Sequence, residues 1–168
     1  MSSAQTTALK WSFLSGCCLL LAFLRQLFLG SMTVWGALPF LPPVILAVVA
    51  SFEEIRPAVI FGIAYGAVCD LSLPVPFPCL YTLAFTVAAL LVSSLSGSVL
   101  QPGFPRALLM TMLTFLLVDC FKAFSILLRG AGSPGAMLSL FARETLVSCL
   151  LLVPVYPALR AIRRIFPD

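Results

Sequence analysis

Six long apolar stretches, separated by short polar or proline-containing segments, fill nearly all of this chain of 168 residues. About 20 consecutive apolar residues in a helix are enough to cross the ~30 Å hydrocarbon core of a bilayer. The pattern therefore predicts an all-α integral membrane protein with six transmembrane helices in one compact bundle. The predicted spans are residues 11–30, 32–51, 57–73, 80–100, 107–128 and 137–159. No other stretch is of domain size, so we predict a single transmembrane domain over residues 1–168.

The second predicted span contains three prolines, Pro39, Pro42 and Pro43. Each proline removes a backbone N–H donor and clashes with the preceding helical turn, so we predict a helix break here. A bent or half-unwound helix is tolerated in a membrane where its freed carbonyls face protein or water. A re-entrant segment at this place would reduce the count from six spans to five.

The composition excludes a water-soluble domain. The chain is 61% hydrophobic and only 10% charged, whereas soluble proteins of this size carry roughly 25% charged residues to cover their surface. The net charge of +4 is interpreted as membrane topology and contact with anionic lipid head groups rather than as nucleic-acid binding.

The basic residues in the loops predict the orientation, because short cytoplasmic loops retain positive charge. If the N-terminus is cytoplasmic, Arg129 is the basic residue of an outer loop. The basic residues on the cytoplasmic side are then Lys10, Arg56, Arg106, Arg160, Arg163 and Arg164. This bias favours an even number of crossings with both termini inside, and hence six spans over five.

Catalytic chemistry is hard to build from this composition. The chain has no histidine and no asparagine, so the usual proton shuttle is missing. It has no glycine-rich phosphate loop and no cluster of metal ligands. Its six cysteines show no Cys-x-x-Cys spacing, and we interpret them as packing residues rather than a redox or metal site. We therefore expect a protein that is not an enzyme and needs no cofactor.

The third predicted span carries the most specific pattern. Ala58, Gly62, Gly66 and Asp70 recur every four residues, which aligns three small residues and a carboxylate on one helix face. Small residues at this spacing let another helix approach closely. The face is either an internal contact with a neighbouring span or a docking face for the helix of a partner.

Six charged residues are predicted to share one depth in the outer part of the membrane. With a rise of 1.5 Å per residue, Asp70, Arg25, Asp119 and Lys122 lie about 18–22 Å above the cytoplasmic ends of their spans, and Arg143 and Glu144 lie ~10 Å below the outer surface. Left facing lipid, all six would together cost roughly 15–20 kcal/mol. The alternatives are a structural layer of ion pairs with some snorkelling, a polar pocket, or a contact with a partner.

Several of these residues belong to a family resemblance. The run Phe-Gly-Ile-Ala-Tyr-Gly-Ala-Val-Cys-Asp-Leu at residues 61–71, preceded by Pro42 and Pro43, resembles the core signature of MreD, the small membrane subunit of the bacterial rod-shape machinery. The Leu-Val-Asp step ending at Asp119, and residues 143–156 with the basic tail that follows, also resemble MreD chains, particularly those of clostridial type. The resemblance covers residues 38–164.

The chain departs from the family pattern at two places. Members often have Asn or Asp after the proline that opens the second span, where this chain has Val44 after Pro43. They often have Leu-Gly before the fourth span, where this chain has Pro78 and Cys79.

The resemblance implies a non-enzymatic scaffold in the bacterial cytoplasmic membrane. Such a scaffold binds an MreC-like protein, and through it helps to couple the MreB cytoskeleton to the RodA polymerase and a class B penicillin-binding protein. It also implies a fold similar to that of the substrate-binding S components of energy-coupling-factor vitamin transporters.

Two other functions remain open at the level of sequence. An S component is the main alternative, but it must satisfy a polar vitamin with well-placed donors and acceptors, and the side-chain amides of this chain are Gln5, Gln26 and Gln101. A channel or proton-coupled transporter that uses Asp70 and Asp119 is the third.

Overall fold

The computed structural model describes residues 12, 16, 39–73, 77–96, 103–130 and 134–165. Over these residues the chain is all-α, as predicted. The helices of the described part are α1 (Leu41–Phe52), α2 (Ile55–Ser72), α3 (Leu80–Ser96), α4 (Phe104–Leu128) and α5 (Pro134–Ile165). The first predicted span, including Arg25, lies outside the described residues apart from positions 12 and 16.

Three of the described helices are long and apolar enough to cross a membrane, judged by length and composition: α2, α4 and the Met137–Ala161 part of α5. The chain is therefore of membrane-protein type. The predicted count of six spans is not reached by this criterion among the described residues. The second and fourth predicted spans correspond to α1 and α3, which are shorter apolar helices, and the 12 residues of α1 extend only ~18 Å.

Helix α1 is the centre of the bundle. Every residue of α1 from Leu41 to Ser51 is buried, and the helix packs against α2, α3, α4 and α5. A helix that is apolar on all sides is stable when other protein elements surround it. The sequence Leu-Pro-Pro-Val-Ile-Leu-Ala-Val-Val-Ala therefore forms a core helix that has little contact with lipid.

The three prolines lie at the start of α1. Pro39 and Phe40 precede the helix, and Pro42 and Pro43 lie in its first turn. Proline is tolerated there because its missing N–H would have no partner within the helix. The described helix begins at Leu41, and the part of the span 32–51 before Pro39 lies outside the described residues, so the break stays a prediction.

The outer surfaces of the surrounding helices are apolar. Leu71 on α2 is 89% exposed and Leu138 on α5 is 73% exposed. Other exposed aliphatic or aromatic side chains on these surfaces are Ile60, Leu83, Leu116, Phe124, Leu128, Leu146, Leu150 and Val153. A soluble monomer rarely exposes so many large apolar side chains together, so this surface suits the hydrocarbon of a bilayer.

Two contacts show which of the connections between helices lie at the same end of the bundle. Near the start of α4, Arg106 Nη2 donates a hydrogen bond of 2.9 Å to the backbone carbonyl of Ser51 near the end of α1. Just after α4, the Arg129 guanidinium lies 4.8 Å from the centre of the Phe77 ring, which belongs to the connection before α3. The loops thus alternate between two ends, as expected of consecutive antiparallel helices. Which end faces the cytoplasm remains a prediction.

Candidate functional site

Asp70 at the end of α2 caps the start of α3. Its Oδ1 accepts the Tyr81 N–H at 2.9 Å, and its Oδ2 accepts the Thr82 N–H at 2.9 Å and the Thr82 hydroxyl at 2.7 Å. Tyr81 and Thr82 are the second and third residues of α3, where backbone N–H groups have no partner within the helix. The carboxylate also lies at the positive end of the helix dipole. Asp70 therefore ties two helices together.

The residue before α3 explains why this cap comes from another helix. Cys79 has a left-handed backbone conformation (φ 63°), and its carbonyl accepts the Leu83 N–H at 3.1 Å. The side chains that cap helices well from this position are those of Ser, Thr, Asp and Asn, so Cys79 leaves the first N–H groups to Asp70. The left-handed conformation is one that glycine adopts readily.

The small residues of α2 pack against α3, and we call this contact the α2–α3 seam (Ala58, Gly62 and Gly66). Ala58 is fully buried. A Cβ added at Gly62 would lie 2.9 Å from the backbone oxygen of Phe85, and one added at Gly66 would lie 2.6 Å from Thr82 Cα. Of the two uses considered for this face, it serves the internal contact, because the backbone of α3 occupies the space beside both glycines.

Three charged residues of α4 and α5 form one group, the Lys122 cluster (Asp119, Lys122 and Glu144). Lys122 Nζ donates to Glu144 Oε1 at 3.0 Å and lies 3.8 Å from Asp119 Oδ1. The Thr145 hydroxyl donates to Asp119 Oδ2 at 3.4 Å. The cluster joins α4 to α5 and contains two carboxylates for one ammonium group.

Phe40 connects this cluster to the capped end of α3. Lys122 Nζ lies 4.3 Å from the centre of the Phe40 ring, an attractive cation–π geometry. The same ring lies 5.6 Å from that of Tyr81, and the Phe40 N–H donates to Ser148 Oγ at 2.8 Å. The N-terminus of the core helix α1 is thereby held by groups from α3, α4 and α5.

The predicted polar layer is thus present in part. Asp119, Lys122 and Glu144 meet in one cluster, and Asp70 lies at the same end of the bundle but bonds backbone N–H and hydroxyl groups instead of a cation. Arg143 is exposed and lies outside the cluster. Arg25 is outside the described residues.

A groove of about 350 Å³ runs between α4 and α5 beside Asp119. We call it the α4–α5 groove, and its walls include Met112, Leu116, Cys120, Leu138, Phe141 and Thr145. Asp119 is only 8% exposed, and its Oδ1 accepts no hydrogen bond. The surface of the groove is therefore almost entirely apolar, and Asp119 Oδ1 itself is buried.

The chemistry that these groups supply is hydrogen bonding and ion pairing between helices.

Comparison of the chain with protein-family models, with curated proteins and with solved structures found no match. Among the described residues, no group of three or more His, Cys, Asp or Glu side chains could hold a metal ion. The cysteines at positions 69, 79, 120 and 149 are free thiols.

Sequence reasoning identified Asp70 but missed its partners Tyr81 and Thr82, as well as Phe40 and Ser148. The sequence contains one signal that points to Tyr81 and Thr82. Pro78 and Cys79 precede the fourth span, and neither caps a helix through its side chain. A buried helix start without a local cap requires an acceptor from elsewhere, and Asp70 ends the preceding helix. No comparable signal points to Phe40 or Ser148, which lie 108 positions apart.

Proposed function

We propose that this protein is a non-enzymatic, MreD-like scaffold of the bacterial cell-elongation machinery. It binds an MreC-like protein and acts through it on MreB, RodA and a class B penicillin-binding protein to organise peptidoglycan synthesis. It lies in the cytoplasmic membrane, crosses it six times and has both termini in the cytoplasm. The observation that carries the proposal is that the polar groups of the layer hold helices together, while the outer surfaces of the bundle are apolar.

The residues that carry the family resemblance support this function through their structural use. Gly62 and Gly66 allow close packing of α2 on α3, and Asp70 accepts three hydrogen bonds from Tyr81 and Thr82. A carboxylate occupied in this way has little capacity left for a substrate or a translocated proton. The signature thus builds a rigid bundle, which is what a scaffold presents to its partners.

The α4–α5 groove is the observation that favours the alternative, an S component of an energy-coupling-factor transporter. Its volume of about 350 Å³ falls in the range of small-molecule sites, ~300–1,000 Å³. A polar vitamin, however, needs several convergent donors and acceptors, and the polar side chains that line this groove belong to Asp119 and Thr145. We therefore favour the scaffold.

The test is purification with defined partners. The tagged chain is co-expressed in one strain with an MreC-like protein and in another with the ATPases and coupling subunit of an energy-coupling-factor transporter. We expect the MreC-like protein to remain bound through two affinity steps in mild detergent, and the coupling subunit to be lost. Retention of the transporter module and loss of the MreC-like protein would replace the scaffold with the alternative.

The proposed topology makes a separate prediction. In intact cells, a membrane-impermeant maleimide should label cysteines placed at positions 74–79 and 130–135, including the native Cys79 and a Ser133→Cys variant, but not cysteines at 101–106 or 160–168. The reason is that basic loops stay on the cytoplasmic side. A cysteine-free version supplies the background. Labelling of position 133 only after the cells are opened would reverse the orientation.

A further inference from the structure

We propose that Arg143 binds the phosphate of an anionic phospholipid, such as phosphatidylglycerol, near the end of the bundle where α5 begins. The inference goes beyond the scaffold function and does not depend on it, since it assigns a ligand site to the lipid-facing surface of α5. It commits to a phospholipid whose head group carries no cation of its own. The phosphate of such a lipid is free to accept hydrogen bonds from the guanidinium.

Arg143 lies within the membrane-crossing part of α5 but outside the Lys122 cluster. Its side chain is exposed, whereas the next residue, Glu144, binds Lys122 at 3.0 Å. Arg143 makes no ion pair or hydrogen bond with another residue that the structure describes. A charged side chain is costly in hydrocarbon unless it finds a partner or reaches the membrane surface. The partner of Arg143 must therefore come from the surroundings of the bundle.

The face of α5 that carries Arg143 suits acyl chains better than another helix. The exposed side chains on this face are large: Leu140 lies one turn before Arg143, Leu146 one turn after it and Leu150 two turns after it. Transmembrane helices approach each other closely where small residues line the contact, and these three positions hold none. The anionic partner is thus expected to be a lipid, with its acyl chains against the leucines.

The depth of Arg143 brings its guanidinium within reach of lipid phosphates. Arg143 lies six residues after Met137, where the membrane-crossing part of α5 begins, and hence ~9 Å along the helix axis. The Cα–Cβ bond of a helical residue tilts toward the N-terminus of the helix, which is the nearer end for Arg143. The methylene groups can then cover apolar surface while the guanidinium reaches the head groups. Its planar fork of N–H donors matches two oxygens of one phosphate.

The experiment identifies the lipids beside Arg143 by photo-crosslinking. The purified full chain is reconstituted in vesicles of equal parts of phosphatidylglycerol and phosphatidylcholine. The photoreactive amino acid p-benzoylphenylalanine, which inserts into C–H bonds of acyl chains, replaces Leu140 or, as a control position, Leu83. Leu140 is 50% exposed and Leu83 is 59% exposed. Leu83 lies near the start of α3, which is at the same end of the bundle because Phe77 before α3 contacts Arg129 after α4.

Mass spectrometry of the adducts gives the ratio of phosphatidylglycerol to phosphatidylcholine at each position. We expect this ratio to be about fivefold higher at position 140 than at position 83, the preference that ~1 kcal/mol per basic residue near an anionic membrane surface corresponds to. Helix α3 has no charged residue, so the adducts at position 83 report the lipids that surround the bundle without selection.

Three variants test whether Arg143 causes the preference. Arg143→Gln should lower the ratio at position 140 to that at position 83. Arg143→Lys keeps the charge but loses the fork, and should retain part of the preference. Arg129→Gln is the matched control, because it removes the same charge at the same end of the bundle from a guanidinium that lies 4.8 Å from the Phe77 ring centre. It should leave the ratio at position 140 unchanged, and thermal denaturation in detergent checks that each variant folds.

Several outcomes would overturn the lipid site. They are equal ratios at positions 140 and 83, a high ratio at position 140 that survives Arg143→Gln, and a ratio that falls as much with Arg129→Gln as with Arg143→Gln. In cells that co-express the MreC-like protein, adducts of position 140 with a helix of that partner in place of lipid would also overturn it and leave the scaffold function standing. If the partner is not captured but the vesicle result holds, the scaffold function is wrong and the lipid site stands.

Discussion

Replacing Gly66 with leucine is expected to lower the free energy of unfolding of the bundle by about 3 kcal/mol, the upper end of the range for overpacking. A side chain at this position begins with a Cβ that would lie 2.6 Å from Thr82 Cα and 2.8 Å from the Tyr81 carbonyl oxygen. These are backbone atoms, which cannot rotate away as the end of a flexible side chain can. Helices α2 and α3 would therefore have to move apart. The same movement would strain the hydrogen bonds that Asp70 makes one turn further along α2.

The measurement is thermal and denaturant unfolding of the purified protein in detergent, followed by circular dichroism and size-exclusion chromatography. Ala67→Leu is the matched control, because Ala67 is the next residue of α2 and its side chain is exposed. It should change the stability little. Similar behaviour of the two variants would show that the close approach of α2 and α3 does not contribute to stability.

Replacing Asp70 with alanine is expected to cost about 2–5 kcal/mol, because it leaves several donors without a partner at ~1–3 kcal/mol for each buried group. The donors are the N–H groups of Tyr81 and Thr82 and the Thr82 hydroxyl. The three hydrogen bonds are part-buried, so water can replace the lost acceptor only in part. The substitution also removes a negative charge from the N-terminus of α3.

Two further variants separate the contributions of the individual hydrogen bonds to this loss of stability. Asp70→Asn keeps one acceptor oxygen and should lose less stability than Asp70→Ala. Thr82→Val removes only the hydroxyl and should cost about 1 kcal/mol, the usual net contribution of one hydrogen bond. If Asp70→Ala unfolds at the same temperature as the natural protein, Asp70 does not cap α3.

Much of the local structure followed from the sequence, because it depends on length and spacing along one helix. The fifth predicted span, residues 107–128, ends where α4 (Phe104–Leu128) ends. The four-residue spacing of Ala58, Gly62 and Gly66 predicted a close helix contact, and α3 supplies it. The rise per residue predicted that Asp119, Lys122 and Glu144 lie at one depth, where the structure joins them.

The sequence by itself determined the all-α membrane class, the shared level of Asp119, Lys122 and Glu144, and the face of α2 that packs, since these depend on hydrophobic length and helical period. Only the tertiary structure decided that α1 is a short central helix held by Phe40 and Ser148, that Asp70 caps α3, and that Lys122 binds Glu144 more closely than Asp119. Position along a helix fixes depth within the bundle. Which residues meet at that depth also depends on the order and rotation of the neighbouring helices, and these are set by packing among residues far apart in the chain.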